Sequence, residues 1–324
     1  MPLNLTAGDD DDGRRLDRIL RKFLHDMPLS AIHRMLRKGQ VHVDGKSAGA
    51  GFRAKSGQAI AIYASYADES AHGRHFLPAE GPRKKPVKPV PGAPLGPALE
   101  ILFEGDGILA LNKPAGLIVH GRESLETLVL SYLEPKIPPS LSFRPGPLHR
   151  LDRPTSGVLV FSASLEGARL FSAMLRERAV KKQYLTIVEG QIKNDCFWQD
   201  ELIRDFRKKK TQTSGAAKER RPKTKTALTT VRPIVSNAGF TFILAEIKTG
   251  RTHQIRAQAS ENGHVLLGDR KYGSAKSDCF FLHSWRIELP SPLSRQIEAP
   301  LPLKFREKIK ELFGLDSDHI SGRL

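Results

Sequence analysis

Cysteine and tryptophan are scarce in this chain, two of each among 324 residues, and there are only five tyrosines. Cys196 and Cys279 lie far apart and form no Cys-x-x-Cys pair, which argues against a disulfide framework or a cysteine zinc site and fits a cytoplasmic setting. No apolar run approaches the ~20 residues of a membrane-spanning helix. The first residues, MPLNLTAGDDDDG, are acidic and polar and lack the pattern of a secretory signal. The P-loop, the Gly-x-Ser-x-Gly elbow, the His-Glu-x-x-His helix and the Gly-x-Gly-x-x-Gly loop are all missing, and the 11 histidines do not cluster at metal spacing. The expectation is an activity that needs no metal, nucleotide or redox cofactor.

Negative charge is also in short supply. Lys and Arg number 52 against 35 Asp and Glu, a formal net charge of +17, and the isoelectric point is about 10.0. A chain this basic most readily meets a polyanion, and nucleic acid comes first. A membrane surface fits less well, because no basic helix carries an aromatic-rich apolar face. The hydrophobic fraction of 39% and the length allow a sizeable core and more than one domain.

Residues 1–12 read as a disordered tail, with Asp9–Asp12 as a solvated extension. Residues 13–62 read as a small separate domain. Leu16, Ile19, Leu20, Phe23 and Leu24 recur at helical spacing, with Arg14, Arg15, Arg18, Arg21 and Lys22 on the other face. Ser30 is placed to cap a second helix with Ile32, Met35 and Leu36 as its stripe. Arg34, Arg37 and Lys38 surround that stripe, and Gly39 suits a left-handed C-terminal cap. VHVDGK then reads as a strand entering an Asp-Gly hairpin turn. Residues 63–99 are a linker whose second half is rich in proline, which blocks helix continuation and sheet pairing.

From residue 100 to 324 short strands dominate, with two serine-capped helices at SLETLVLSYL and SLEGARLFSAMLRERA. The mixture of hairpins and inserted helices predicts an α+β domain with a mainly antiparallel sheet. The densely basic stretch over 204–225 has no apolar period and reads as a flexible arm suited to an RNA backbone, or as an insertion without a specific role.

Three stretches combine polar groups with tight turns: NKPAGLIVHG, PLHRLDRPTSGVLV and TGRTHQIRAQAS. Each has an ordinary reading. HRLD fits an ion-paired strand end, Tyr184 in KKQYLTIV fits a strand, and His253 fits an ordinary hydrogen-bonded histidine. Thr252 is placed to cap a helix on which His253 and Arg256, three apart, share a face.

Taken in order, these stretches resemble the RluA-type pseudouridine synthase family. His149-Arg150-Leu151-Asp152 followed by Thr155-Ser156-Gly157 matches its HRLD signature, Lys113-Pro114-Ala115-Gly116 its KPxG motif, Tyr184 its strand tyrosine, and Gly250 to Arg256 its GRTHQIR motif. The ribosomal large-subunit branch is the most similar, and residues 13–62 resemble the RNA-binding domain first known from ribosomal protein S-four. The resemblance implies conversion of uridine to pseudouridine in RNA, most of all ribosomal RNA, with transfer RNA as the alternative, by a monomer that needs no cofactor. It implies three catalytic residues: Asp152 as the essential carboxylate, Arg256 as its partner and Tyr184 as the ring that stacks on uracil. A guanidinium beside a carboxylate favours its ionised form and fixes its orientation. Ile255 becomes a pocket wall, and Arg150 fills the space left by the flipped uridine. His149 and Lys113 are expected to bind substrate, and Arg34, Arg37 and Lys38 to bind RNA. A non-catalytic RNA-binding or ribosome-assembly factor that retains the fold is the rival reading. Where many relatives have Val-His after this motif, the chain has Ala257-Gln258, a change at the flank of the pocket.

Overall fold

The computed structural model describes residues 2–24, 27–63, 99–121, 123–138, 140–205, 210–213, 224–277 and 279–316. Almost all of the proline-rich linker, and most of the basic segment on either side of residues 210–213, lie outside the described residues. The chain forms two compact units, one of residues 1–98 with 132–145, the other of residues 99–131 with 146–324.

In the first unit, two helices, α1 (Leu16–Phe23) and α2 (Leu29–Arg37), accompany four strands, β1 (Leu3–Thr6), β2 (Val41–Val43), β3 (Lys46–Ser47) and β4 (Ala59–Ile62). The strands form an antiparallel sheet in the order β1-β4-β2-β3. Leu16, Ile19 and Leu20 meet Ile32, Met35, Val41 and Ile60 in one buried cluster. Asp44 and Gly45, both at positive φ, make the expected hairpin turn, and Gly39 closes α2 at φ 68°. Arg18, Arg21, Lys22, Arg34, Arg37 and Lys38 are exposed.

Three expectations are corrected here. Residues 1–12 are not a tail: Leu3–Thr6 pairs with Ile62–Ala59, and Leu3 and Leu5 pack against the cluster. Nor is the aspartate run solvated throughout, because Asp11 is buried and its Oδ2 accepts from the Gly8 and Leu141 amides. Pro28, not Ser30, stands at the N-cap of α2. Proline suits a helix start because its fixed φ needs no amide donor there.

The second unit is built on a ten-stranded sheet. Its strands are β5 (Ile101–Gly105), β6 (Ile108–Lys113), β7 (Ser156–Ser162), β8 (Lys181–Glu189), β9 (Cys196–Asp205), β10 (Lys210–Thr213), β11 (Lys225–Ser236), β12 (Phe240–Ile247), β13 (Leu282–Leu289) and β14 (Arg295–Glu298). Their order is β10-β9-β11-β12-β8-β13-β7-β6-β5, with β14 on β13. One pairing, β13 with β7, is parallel, and the other pairings are antiparallel. The sheet is thus mixed, in an α+β arrangement. Helices α3 (Leu125–Leu133), α4 (Leu165–Arg176), α5 (Gln254–Glu261) and α6 (Leu303–Phe313) complete the described elements. Ser164 caps α4 by accepting from the Gly167 amide, as its place before the helix predicts. Within the basic segment, Lys210–Thr213 is strand rather than free arm, with Thr211 and Thr213 buried against the sheet.

Apolar clusters lie on either side of the central strands. One gathers Val158, Val160, Phe171 and Ile287, and another gathers Leu185, Phe242, Trp285, Phe305 and Ile309. No helix among the described residues is long and apolar enough to cross a membrane.

Candidate active site

The loop His149 to Thr155 leads into β7, and α5 faces it. Between them lies a cavity of about 300 Å³, lined among others by Arg150, Asp152, Lys182, Tyr184, Ile255 and Arg256. That volume is at the lower end for a small-ligand site.

Asp152 is only 14% exposed, and its Oδ2 accepts from Arg256 Nη1 at 3.0 Å. The expected pairing across the chain is therefore present. Arg256 is itself fixed by a second carboxylate: its Nε and Nη2 donate to Asp269 Oδ2 and Oδ1 at 2.7 and 2.8 Å. Tyr272 and Phe280 rings each lie 5.1 Å from the guanidinium carbon. Burial works against the Arg256 charge, but Asp269 first and Asp152 second more than compensate, holding the group above its ordinary value. A two-pronged pair leaves the guanidinium plane no freedom to swing, so Asp269 indirectly sets where Asp152 points.

Tyr184 is buried on β8, with Ser284 of β13 and Ala245 of β12 as its cross-strand neighbours. Burial pushes its phenol up to about 12; the Ser284 hydroxyl acts the other way and Asp152 adds to the rise. The ring is therefore a neutral donor at ordinary pH. Ile255 is buried in the first turn of α5 and lines the cavity, and Arg150 is exposed along the same wall.

The glycine of the Thr-Ser-Gly turn has a steric reason. Gly157 has φ 103°, and a Cβ on it would overlap the Ser284 carbonyl. Only glycine lets β7 approach β13 closely enough for the parallel pairing that follows Asp152.

Two residues expected to bind substrate, Lys113 and His149, are held by backbone groups. Lys113 is fully buried and does not reach the cavity; its ammonium donates to the Pro114, Leu117 and Arg153 carbonyls at 2.9, 2.9 and 3.0 Å. Gly116 and Arg153 add a reciprocal pair, Gly116 N to Arg153 O and Arg153 Nε to Gly116 O, each 2.9 Å. The Lys-Pro-Ala-Gly turn thus braces the loop that carries Asp152. Burial pulls Lys113 down to about 8 against the opposing pull of Asp152. His149 does line the cavity, but its Nε2 accepts from the Val160 amide at 3.0 Å. Burial pulls it down to about 3, with nearby Lys182 acting the same way. It is a neutral loop anchor.

Thr252 does not cap α5. His253 occupies the N-cap in the left-handed region, φ 54°, and Gln254 accepts from the Arg251 amide instead. Non-glycine residues there are strained, and such strain gathers at functional sites. His253 Nε2 comes 3.6 Å from Asp152 Oδ2, and its Nδ1 lies 3.0 Å from the Tyr272 hydroxyl. Tyr272 also donates to the Thr211 carbonyl of β10 at 3.1 Å.

Sequence reasoning missed Asp269, Tyr272 and Lys182 as parts of this site. Asp269 and Tyr272 lie in GDRKYG, between two glycines of positive φ, where Tyr272, Gly273 and Ser274 amides all donate to the Asp269 carbonyl. A carboxylate and an aromatic ring in a doubly glycine-bounded loop were the available signal.

A cavity with one arginine-held carboxylate, a neutral tyrosine and an apolar wall suits rearrangement of a planar base. Comparison with known proteins agrees. The family described as RNA pseudouridylate synthase matches residues 107–261, which span the loop, Tyr184 and α5. The chain is 30% identical over 323 residues to ribosomal large subunit pseudouridine synthase C of Vibrio parahaemolyticus, covering 95% of this chain and 94% of the relative. It is 29% identical over 318 residues to the protein of that description from Escherichia coli, at 94% of each chain. A solved human structure, RNA pseudouridylate synthase domain containing 4, shares the fold with TM-score 0.55 and 22% identity over 66% of this chain and 92% of that one. The chain belongs to the RluA-type RNA pseudouridylate synthases, and is an RNA-modifying isomerase. Both bacterial relatives are described as ribosomal large subunit pseudouridine synthases.

Proposed function

We propose that this enzyme isomerises uridines of large-subunit ribosomal RNA, with Asp152 as its essential carboxylate. The observation that carries the catalytic part is the 3.0 Å contact between Arg256 and Asp152 inside a cavity walled by Tyr184 and Ile255. The ribosomal substrate is supported by relatives of that description at near-full coverage.

Uridine in a helix or loop must leave its stack to reach such a cavity, at a cost of a few kcal/mol that is least in loops. Arg150, exposed beside the cavity, fills the gap left in the RNA. Inside, the base stacks on Tyr184, worth ~1–3 kcal/mol, against Ile255. Asp152 then acts on the nucleoside as its N1–C1′ bond breaks; the ring turns and C5 bonds to C1′. Arg256, fixed by Asp269, keeps the carboxylate aimed into the cavity. The N-terminal domain docks RNA through Arg34, Arg37 and Lys38. Its two helices and small antiparallel sheet with an exposed basic face support its likeness to the ribosomal protein S-four domain.

The test is release of tritium from C5-labelled uridine in large-subunit ribosomal RNA and, in parallel, transfer RNA. Release from the ribosomal RNA is expected; release from transfer RNA alone would overturn the substrate assignment. Asp152→Asn is expected to bind RNA as the wild type does and to release no tritium. Turnover by that variant would remove Asp152 from the mechanism.

A further inference from the structure

One cation in the cavity has no role in this scheme. Lys182 is 9% exposed and lines the cavity, and its ammonium makes no hydrogen bond or ion pair among the described residues. A buried ammonium normally has a partner, because desolvating it is costly. Its neighbour Lys181 has one, donating to Glu288 at 2.9 Å. The difference follows from strand alternation. Lys181 and Gln183 share the face of β8 that carries Glu288 and Glu246. Lys182 and Tyr184 share the other face, and both open into the cavity. Lys182 has apolar or uncharged neighbours: Ile247 opposite it on β12, Gly250 beside its ammonium, and the neutral His149. Burial pulls its ammonium below the ordinary lysine value, and no carboxylate pulls it back.

We propose that the Lys182 ammonium binds the carbonyl edge of the uracil ring and holds the negative charge that the ring acquires when it leaves the ribose. The charge has a definite origin. When N1–C1′ breaks, its electron pair stays with the base and spreads over O2 and O4. When C5 bonds to C1′, the same pair is returned; the C5 proton is then lost and N1 gains one, so that atoms and electrons balance without a co-reactant. Between these events the ring is an anion that must turn without escaping. A buried donor two residues from the stacking ring, with no carboxylate paired to it, is a strong hold on such a charge. Because both carbonyls carry charge, one ammonium on a flexible stem can follow the ring as it turns. The inference rests on the reading that the base stacks on Tyr184 beside Asp152.

The test compares Lys182→Met with wild type on whichever RNA the wild-type protein turns over, so that a wrong assignment of ribosomal RNA would not touch it. Single-turnover tritium release at saturating RNA is expected to fall about 10²-fold. The salt dependence of RNA binding is expected not to change, since no phosphate contact is lost. Thermal unfolding guards against a folding defect, and the melting temperature is expected to hold or rise, because a buried charge is removed. Should it fall, Lys182→Gln, which keeps a polar but uncharged tip, supplies the rate. A rate within threefold of wild type would overturn the proposal. So would an unchanged saturating rate with a salt slope shallower by ~0.7–0.9, which would mark Lys182 as a phosphate contact.

Discussion

Arg256 serves two carboxylates at once, and they are not equivalent. Asp269 takes two of its donors and is about 1% exposed, whereas Asp152 takes one and is 14% exposed toward the cavity. Removing one partner of a buried pair costs ~3–5 kcal/mol because the remaining charge is left unmatched. Asp269→Asn keeps the shape and one acceptor, so the lower end applies. A loss of about 3 kcal/mol in urea unfolding is expected, with a lower saturating rate and nearly unchanged RNA affinity. A variant as stable and active as wild type would show that Asp152 alone positions the guanidinium. At this scale Asp152, Tyr184 and Arg256 were legible because each sits in a dense run of polar groups and turns. Lys182 was not, since KKQYL offers two lysines and only the phase of β8 decides which one enters the cavity. Asp269 was hidden because its partner lies across a helix-to-loop fold that leaves no local period. Lys113 was legible as important but misread: three backbone carbonyls satisfy it, a demand invisible before the turn folds.

The parallel seam between β7 and β13 ties this site to acid stability. His283 is fully buried opposite Ser156; its Nδ1 lies 2.8 Å from the Ser156 hydroxyl and its Nε2 3.1 Å from the Ala299 carbonyl. The carbonyl can only accept, so Nε2 carries the proton and Nδ1 accepts from the serine. Burial pulls His283 down to about 4, with the Ala299 carbonyl opposing. The unfolded chain protonates this histidine near pH 6.5, and the folded chain resists until about pH 4. Stability is therefore lost as pH falls through that window, at about 1.4 kcal/mol per unit. Urea unfolding at pH 7 and pH 5 is expected to show a drop in wild type about 2 kcal/mol larger than in His283→Asn. Equal drops would mean that other groups govern the acid limb. Elements with local causes were well foreseen: the Asp-Gly hairpin at residues 44–45, both of positive φ, and the Ser164 cap. The start of α5 was misplaced by one residue, because the left-handed His253 is imposed by the site and not by local propensity.

Across the whole molecule, the positive charge was the clearest signal and the division of the chain the least legible. Residues 132–145 belong with the N-terminal unit, though they lie inside the stretch that reads as catalytic. The cause is a set of distant bonds: Leu141 N donates to Asp11, Ser142 Oγ to the Asp10 carbonyl and Arg14 Nη1 to the Ser142 carbonyl. Bonds spanning some 130 positions leave no mark on local composition. Charge is different, because it acts at long range and sums. On α2, Arg34 and Arg37 with the following Lys38 are exposed, while Ile32, Met35 and Leu36 hold the helix to its core. Replacing the three cations with glutamine therefore removes phosphate contacts without touching packing, and exposed changes of this kind stay within about 0.5 kcal/mol. Each lost phosphate contact lowers the slope of log affinity against log salt by ~0.7–0.9. The triple variant is expected to show a slope shallower by about 2 and weaker binding at low salt. Its single-turnover rate at saturating RNA should match wild type, because Asp152 and its partners are untouched. A slope equal to that of wild type would move RNA docking off this helix and onto the basic surface of the catalytic unit.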